Sequence, residues 1–239
     1  MKNCLIILSC FFILISCNNK NDVTKKTTST INNFTKGFTL EGELINGEAS
    51  KVYLNKIIGN TIYQIDSAKI ENNKFSVQGI VEYPERFALT FDTYASKTIL
   101  ILENLPIQIS VNTEQINDPI IIGSPLNSKL DEYKKISKSI FRKIDYLYPR
   151  FQKARLENDV EKLTEIGHQM KSIEKEFQVF SFQFIEKNKN SFIAPILLSD
   201  QLKTSTIDTF KIKESYQLLS EEVKHSPDAQ IIASFLKLH

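Results

Sequence analysis

"IDSAKIENNKFSVQG", residues 65–79, alternates apolar and polar side chains on both sides of the polar break "ENNK". It reads as strand, turn, strand: a β-hairpin with one buried face. The same period of two continues outward. "FTLEGEL" supplies Phe38, Leu40, Gly42 and Leu44, "KVYL" supplies Val52 and Leu54, and "TIYQI" supplies Tyr63 and Ile65. Further on, "RFALTF" supplies Phe87, Leu89 and Phe91, while "TILIL" and "IQISV" place β-branched residues at alternate positions. The breaks "NGEAS", "ENLP" and "NTEQINDP" fall at spacings typical of sandwiches or barrels. Residues 38–124 are therefore expected to form an antiparallel β-sandwich of about eight strands in two packed sheets.

After "GSPLNSKL" the period becomes helical. Leu130, Tyr133, Ile136, Ile140, Ile144 and Leu147 mark one helix, expected to be interrupted or kinked near Pro149. A second carries a coiled-coil-like seam of Leu163, Ile166, Met170, Ile173, Phe177, Phe180 and Phe184. The break at "RLENDVEK" favours an antiparallel helical hairpin. Shorter helices follow, with Ser191, Asp208 and Ser226 as expected N-caps and Pro227 at a first helical position. The whole is a segregated α+β chain, with residues 125–239 forming a helical hairpin or bundle.

The N-terminus bears on location. One Lys precedes an apolar run from Leu5 to Ile15, shorter than the roughly 20 residues a membrane-spanning helix needs. Residues 1–16 read as a secretory signal, and "LISC", Leu14 to Cys17, resembles the bacterial lipobox, which makes Cys17 the expected lipidation site. Residues 17–37 are rich in Asn, Thr and Lys and read as a flexible tether behind the lipidated cysteine. With Asn at position 18 rather than Asp, the outer membrane of a Gram-negative envelope is the expected location. The lipid anchor is the expected membrane partner.

Cys4, Cys10 and Cys17 all lie in or at the signal, so beyond them there is no thiol for a disulfide, a redox pair, a nucleophile or a thiolate zinc site. A net charge of +2 gives no electrostatic footprint for nucleic acid. His168, His225 and His239 match no metal-ligand spacing, the scattered glycines form no phosphate loop, and no G-x-S-x-G elbow occurs. Carboxylate pairs such as Glu221 with Glu222, or Asp66 with Glu71, read as solvated surface. No cofactor, metal or catalytic residue is expected. The seam from Leu163 to Phe184 reads as helical core, with a partner-helix groove as the alternative. The basic run "KKISKSIFRK", Lys134 to Lys143, reads as an amphipathic face or a membrane-surface patch. Tyr53, Tyr63, Tyr83 and Tyr94 read as strand packing, or as platforms for a glycan.

"FTLEGEL", "IDSAKI", "NNKFSVQG" and the Pro84 turn, together with the later "GSPLNSKLDEY", "SFIAPILL" and "SYQLLSEEVKHSPDAQIIASFL", resemble a known arrangement. It is the all-β domain of uncharacterised function, with its helical connector, found at the N-terminus of envelope lipoproteins that end in a thioredoxin-like thiol-disulfide oxidoreductase domain. The resemblance spans about residues 38–236. In that family the connector leads into a thioredoxin fold with its C-x-x-C; this sequence ends at His239 without one, so the resemblance carries over no catalytic residue. It implies a non-catalytic accessory or interaction module of an envelope thiol-disulfide redox system, acting through an envelope protein or by self-association. A solute- or glycan-binding lipoprotein and a truncated relic of the oxidoreductase are the alternatives.

Overall fold

The structure, a computed structural model, describes residues 37–59, 61–204 and 207–238. The signal, Cys17 and all but the last residue of the tether lie outside them.

Eight strands come first: β1 (Phe38–Ile45), β2 (Lys51–Ile58), β3 (Thr61–Lys69), β4 (Lys74–Gly79), β5 (Glu85–Phe91), β6 (Tyr94–Leu102), β7 (Pro106–Asn112) and β8 (Ile120–Ile122). They form two four-stranded sheets, ordered β4-β1-β7-β8 and β3-β2-β5-β6. The apolar residues picked out by alternation meet between the sheets: Phe38, Leu40, Leu44, Val52, Leu54, Phe75, Val77, Phe87, Leu89 and Phe91 are all buried there. Burying each contributes about 1.5–3 kcal/mol. Gly42 belongs to this layer because the Phe75 ring fills the place where a side chain would start.

Two details depart from the expected antiparallel sandwich. β1 and β7 pair in parallel, Thr39 opposite Pro106 through Ile45 opposite Asn112. The chain leaves the first sheet after β4, builds β5 and β6 in the second, and returns on the other side of β1 running the same way. The second departure concerns the stretch 65–79 itself. Its turn is as tight as a hairpin's, with Asn72 and Asn73 at φ 52° and 61° and Glu71 and Lys74 exchanging backbone hydrogen bonds of 2.9 and 3.0 Å. Yet β3 pairs with β2 and β4 with β1, in opposite sheets. The strands part because Phe75 and Val77 close the core over the sheet that holds Val52 and Leu54, so a hairpin turn serves as a sandwich corner.

Six helices follow: α1 (Pro125–Leu156), α2 (Val160–Lys187), α3 (Ile193–Asp200), α4 (Thr209–Leu218), α5 (Glu221–Lys224) and α6 (Pro227–Phe235). α1 and α2 form the expected antiparallel hairpin, turning at Asn158 where Asp159 caps α2 through Lys162 N at 3.0 Å. α1 runs through Pro149 without interruption. Pro149 lies on the exposed side, and so does Asp145, whose carbonyl loses its helical donor and faces water. Asp208 and Ser226 cap α4 and α6 as expected. Ser191 does not cap α3, which starts after Phe192 with no side-chain cap. The helix that Asp208 opens stops at Leu218; the next residue, Leu219, has a buried side chain, and Ser220 N donates to Lys189 O at 3.2 Å.

The helices cover the outer face of the second sheet at β5 and β6. β6 is consequently buried on both faces: Leu100 and Leu102 point into the sandwich, and Ile101 points into a core shared with Leu126, Leu130, Phe184 and Ile196.

Candidate functional site

The two outer edges of the second sheet are treated differently. At β6, the Asn127 side chain takes the place of a further strand, accepting from Ile101 N at 2.9 Å and donating to Ile101 O at 2.7 Å. At β3, the longest edge strand without such a cover, side chains from Thr61 to Asp66 are all exposed. Among the described residues no strand pairs with its outer edge. A bare edge presents alternate N–H and C=O groups ready to bond another chain.

The register of β3 explains what lies beneath that edge. Leu54 pairs with Asp66 and Asn55 with Gln64, leaving Ile65 without a residue opposite. This β-bulge turns Ile65 and Asp66 to the same side, where both line a cleft of about 360 Å³ at the open end of the sandwich. Phe38, Leu54, Phe87 and Val81 form its apolar floor. Lys56 sits opposite both Tyr63 and Phe87, so it faces the cleft, with Nζ 3.1 Å from Glu85 Oε1. The far wall is the segment after β4, with Ile80 and Glu82. Asn104 fixes that wall, accepting from Val81 N at 3.0 Å and donating to Val81 O at 2.7 Å. Ile65 and Ile80 are 54% and 73% exposed at its rim, and Tyr63, opposite Lys56 in the ladder, is 52% exposed. The cleft therefore has an apolar floor, an apolar rim and three carboxylates (Asp66, Glu82, Glu85) against one ammonium.

A second hollow, about 330 Å³, lies on the outer face of the first sheet beside Glu41, Glu43, Lys74 and the exposed Ile120 and Ile122 of β8. It has no buried floor comparable to that of the first.

Between β5 and the helices lies a polar cluster that the sequence did not single out. Arg86 donates through both Nη atoms to the two carboxylate oxygens of Asp200, at 2.7 and 2.5 Å. Burial lowers the pKa of this guanidinium, but Asp200 outweighs it and holds the group firmly charged. Asp228, in the first turn of α6, accepts from Ser199 Oγ at 2.5 Å. Burial pushes its carboxyl up, against the hydrogen bond from Ser199 and the charge of Arg86. Beside the cluster, Tyr133 Oη, Ser181 Oγ and Gln201 Nε2 form a chain of 2.8 and 2.9 Å. Among the described residues no buried side-chain nitrogen or oxygen lacks a hydrogen-bond partner, and the cluster ties β5 to α3 and α6 as a lock between sheet and helices.

The residues singled out from sequence fall elsewhere. Of the seam, Ile166, Ile173 and Phe184 are buried, and Leu163, Met170, Phe177 and Phe180 pack partly buried against the cores. Tyr133 of α1 lies among the rings of Phe177, Phe180 and Phe184 at 6.2, 5.3 and 5.3 Å. The chain's own α1 thus packs along the seam, as the helical-core reading expects. In the run Lys134–Lys143, Ile140 is buried, Phe141 packs on Phe177 at 4.7 Å, and Lys143 pairs with Glu176 at 2.6 Å. Lys51 lies over the Tyr53 ring, Tyr83 packs against Phe192, Tyr94 packs against Phe91, and none of the four tyrosines lines either hollow. His168 is exposed on α2, and His225 Nδ1 meets Glu221 O at 2.8 Å; His239 lies outside the described residues. Among the described residues no group of three or more His, Cys, Asp or Glu is placed to hold a metal ion. No helix among them is long and apolar enough to cross a membrane.

Residues 38–130 match the family model described as "Domain of unknown function (DUF4369)". That stretch takes in the whole sandwich and ends in the first turns of α1, just past Asn127. No match is found among curated proteins.

Proposed function

We propose that the chain is a non-catalytic accessory protein of a Gram-negative cell envelope, held at the outer membrane by lipid on Cys17, and that its sandwich binds another envelope protein. The partner is a thioredoxin-like thiol-disulfide oxidoreductase carrying an accessory domain of the same kind. The lipid anchor rests on "LISC" at residues 14–17, and the redox connection rests on the resemblance over residues 38–236. One observation carries the binding reading: β3 leaves its outer edge unpaired, with Tyr63 exposed on it and Ile65 and Ile80 exposed on the lining of an apolar-floored cleft, while Asn127 occupies the opposite edge of the same sheet at Ile101. Natural sheets usually protect long apolar edges, and an unprotected one marks a pairing surface.

Site-specific photo-crosslinking in intact cells tests this. A photoreactive side chain at Tyr63 is expected to capture one discrete envelope polypeptide with a C-x-x-C domain, and the adduct is expected to be lost in Cys17→Ala. The same side chain at the exposed Tyr148 on α1 is expected to capture none. Equal yields at both positions, or none at Tyr63, would defeat the reading.

A further inference from the structure

We infer, resting on the binding reading above, that the partner contributes a short extended segment with a basic residue between aliphatic ones, which adds as a strand to the edge of β3. Three independent features of the site lead there. The first is the outer edge of β3: from Thr61 to Gln64 one side of its backbone pairs with β2, and among the described residues no strand lies beside the other side; main-chain bonding is what such an edge offers. The second is the bulge at Ile65 and Asp66, which breaks the regular ladder and ends the addition after about four residues. The third is charge. Alternate side chains of an added strand point to one face, and here that face is the cleft, where an apolar floor takes aliphatic side chains. Asp66 and Glu82 line that cleft and would take a cation, while Glu85 is already held by Lys56. An acidic segment would meet net repulsion; a wholly apolar one would leave those carboxylates without a counter-charge.

The probe is acetyl-Val-Thr-Lys-Thr-Val-amide, with Val, Lys and Val on one face of an extended chain, added to the full-length protein. Amide hydrogen exchange, read by mass spectrometry, is expected to slow by at least roughly fivefold in β3. It is expected to stay unchanged in the outer strands β4 and β8. Replacing the peptide's Lys by Glu is expected to weaken binding at least about tenfold, and so is Asp66→Lys in the protein. N-methylation of the peptide backbone is expected to abolish the effect. An N-methylated peptide that binds equally well would overturn strand addition, and a Glu peptide that binds equally well would overturn the charge assignment. No slowing in β3 at millimolar peptide would overturn the inference as a whole. If Tyr63 still crosslinks a partner in cells in that case, the binding reading stands and only the strand chemistry falls. If both fail, the reading falls too.

Discussion

Asn127, at the start of α1, bonds to both backbone groups of Ile101 in β6, 26 residues away, as a neighbouring strand would. Ser124 caps the same helix at 3.1 Å, and Glu103 Oε1 accepts from Ser124 Oγ and Leu126 N at 2.5 and 3.1 Å. The first turn of the helical region is therefore the closing element of the sandwich, which is a physical reason for the family model to run past residue 124. Asn127→Ala leaves a buried N–H and a buried C=O unpaired at Ile101 and is expected to destabilise the protein by about 2–4 kcal/mol. Asn127→Asp keeps the acceptor and is expected to fall between that variant and the parent. Urea denaturation checks both; a loss below about 0.5 kcal/mol in the Ala variant would show that the edge closes without the side chain.

Arg86→Ala removes the bidentate partner of Asp200, a pair with side chains 22% and 35% exposed. The expected loss is about 2 kcal/mol, as for a hydrogen-bonded charge that keeps some water. Thermal unfolding checks it, and the loss should exceed that of Lys143→Ala, whose pair with Glu176 is half-exposed and worth roughly 0.2–1 kcal/mol.

Asp228 gives a pH signature. Its carboxyl is raised in the fold by burial, so the folded state holds the proton more tightly than the unfolded chain. Its contribution is complete below the ordinary carboxylate range and is lost as pH rises through the raised value. Asp228→Asn should therefore gain in melting temperature relative to the parent as pH climbs from about 4, and the difference should then level off. Parallel melting curves at a series of pH values check this; a difference that does not vary with pH would contradict it.

Much of this architecture was legible because it depends on near neighbours. Period two at Phe38, Leu40 and Leu44, and the 3,4 spacing from Leu163 to Phe184, each name a buried face, and the structure buries those faces. Alternation says which side of a strand is inside but not which strand lies beside it, so the parallel pairing of β1 with β7 and the parting of β3 from β4 could not be read. A bulge adds one residue without changing composition, which hid the shared orientation of Ile65 and Asp66. Arg86 and Asp200 lie 114 residues apart, and a lone Arg and a lone Asp carry no local signal of pairing. The site lay in the stretch first quoted, where the exposed Ile65 looked like one more inward-facing residue.

Asn104 positions the cleft wall without lining the cleft. Asn104→Ala frees the backbone of Val81 and is expected to cost about 1–3 kcal/mol. It should also speed amide exchange from Ile80 to Tyr83, which exchange measurements with and without the substitution would show. Unaltered exchange there would mean the wall is held by other contacts.

The most direct test of the central claim separates folding from binding at the cleft mouth. Ile65→Ser with Ile80→Ser replaces two exposed side chains and should shift stability by no more than roughly 0.5 kcal/mol. A photoreactive side chain at Tyr63 in this double variant, measured in intact cells, is predicted to lose the adduct formed in the parent while the melting temperature stays unchanged. Retention of the same adduct at the same yield, with the fold intact, would show that the open end of the sandwich is not where the partner binds.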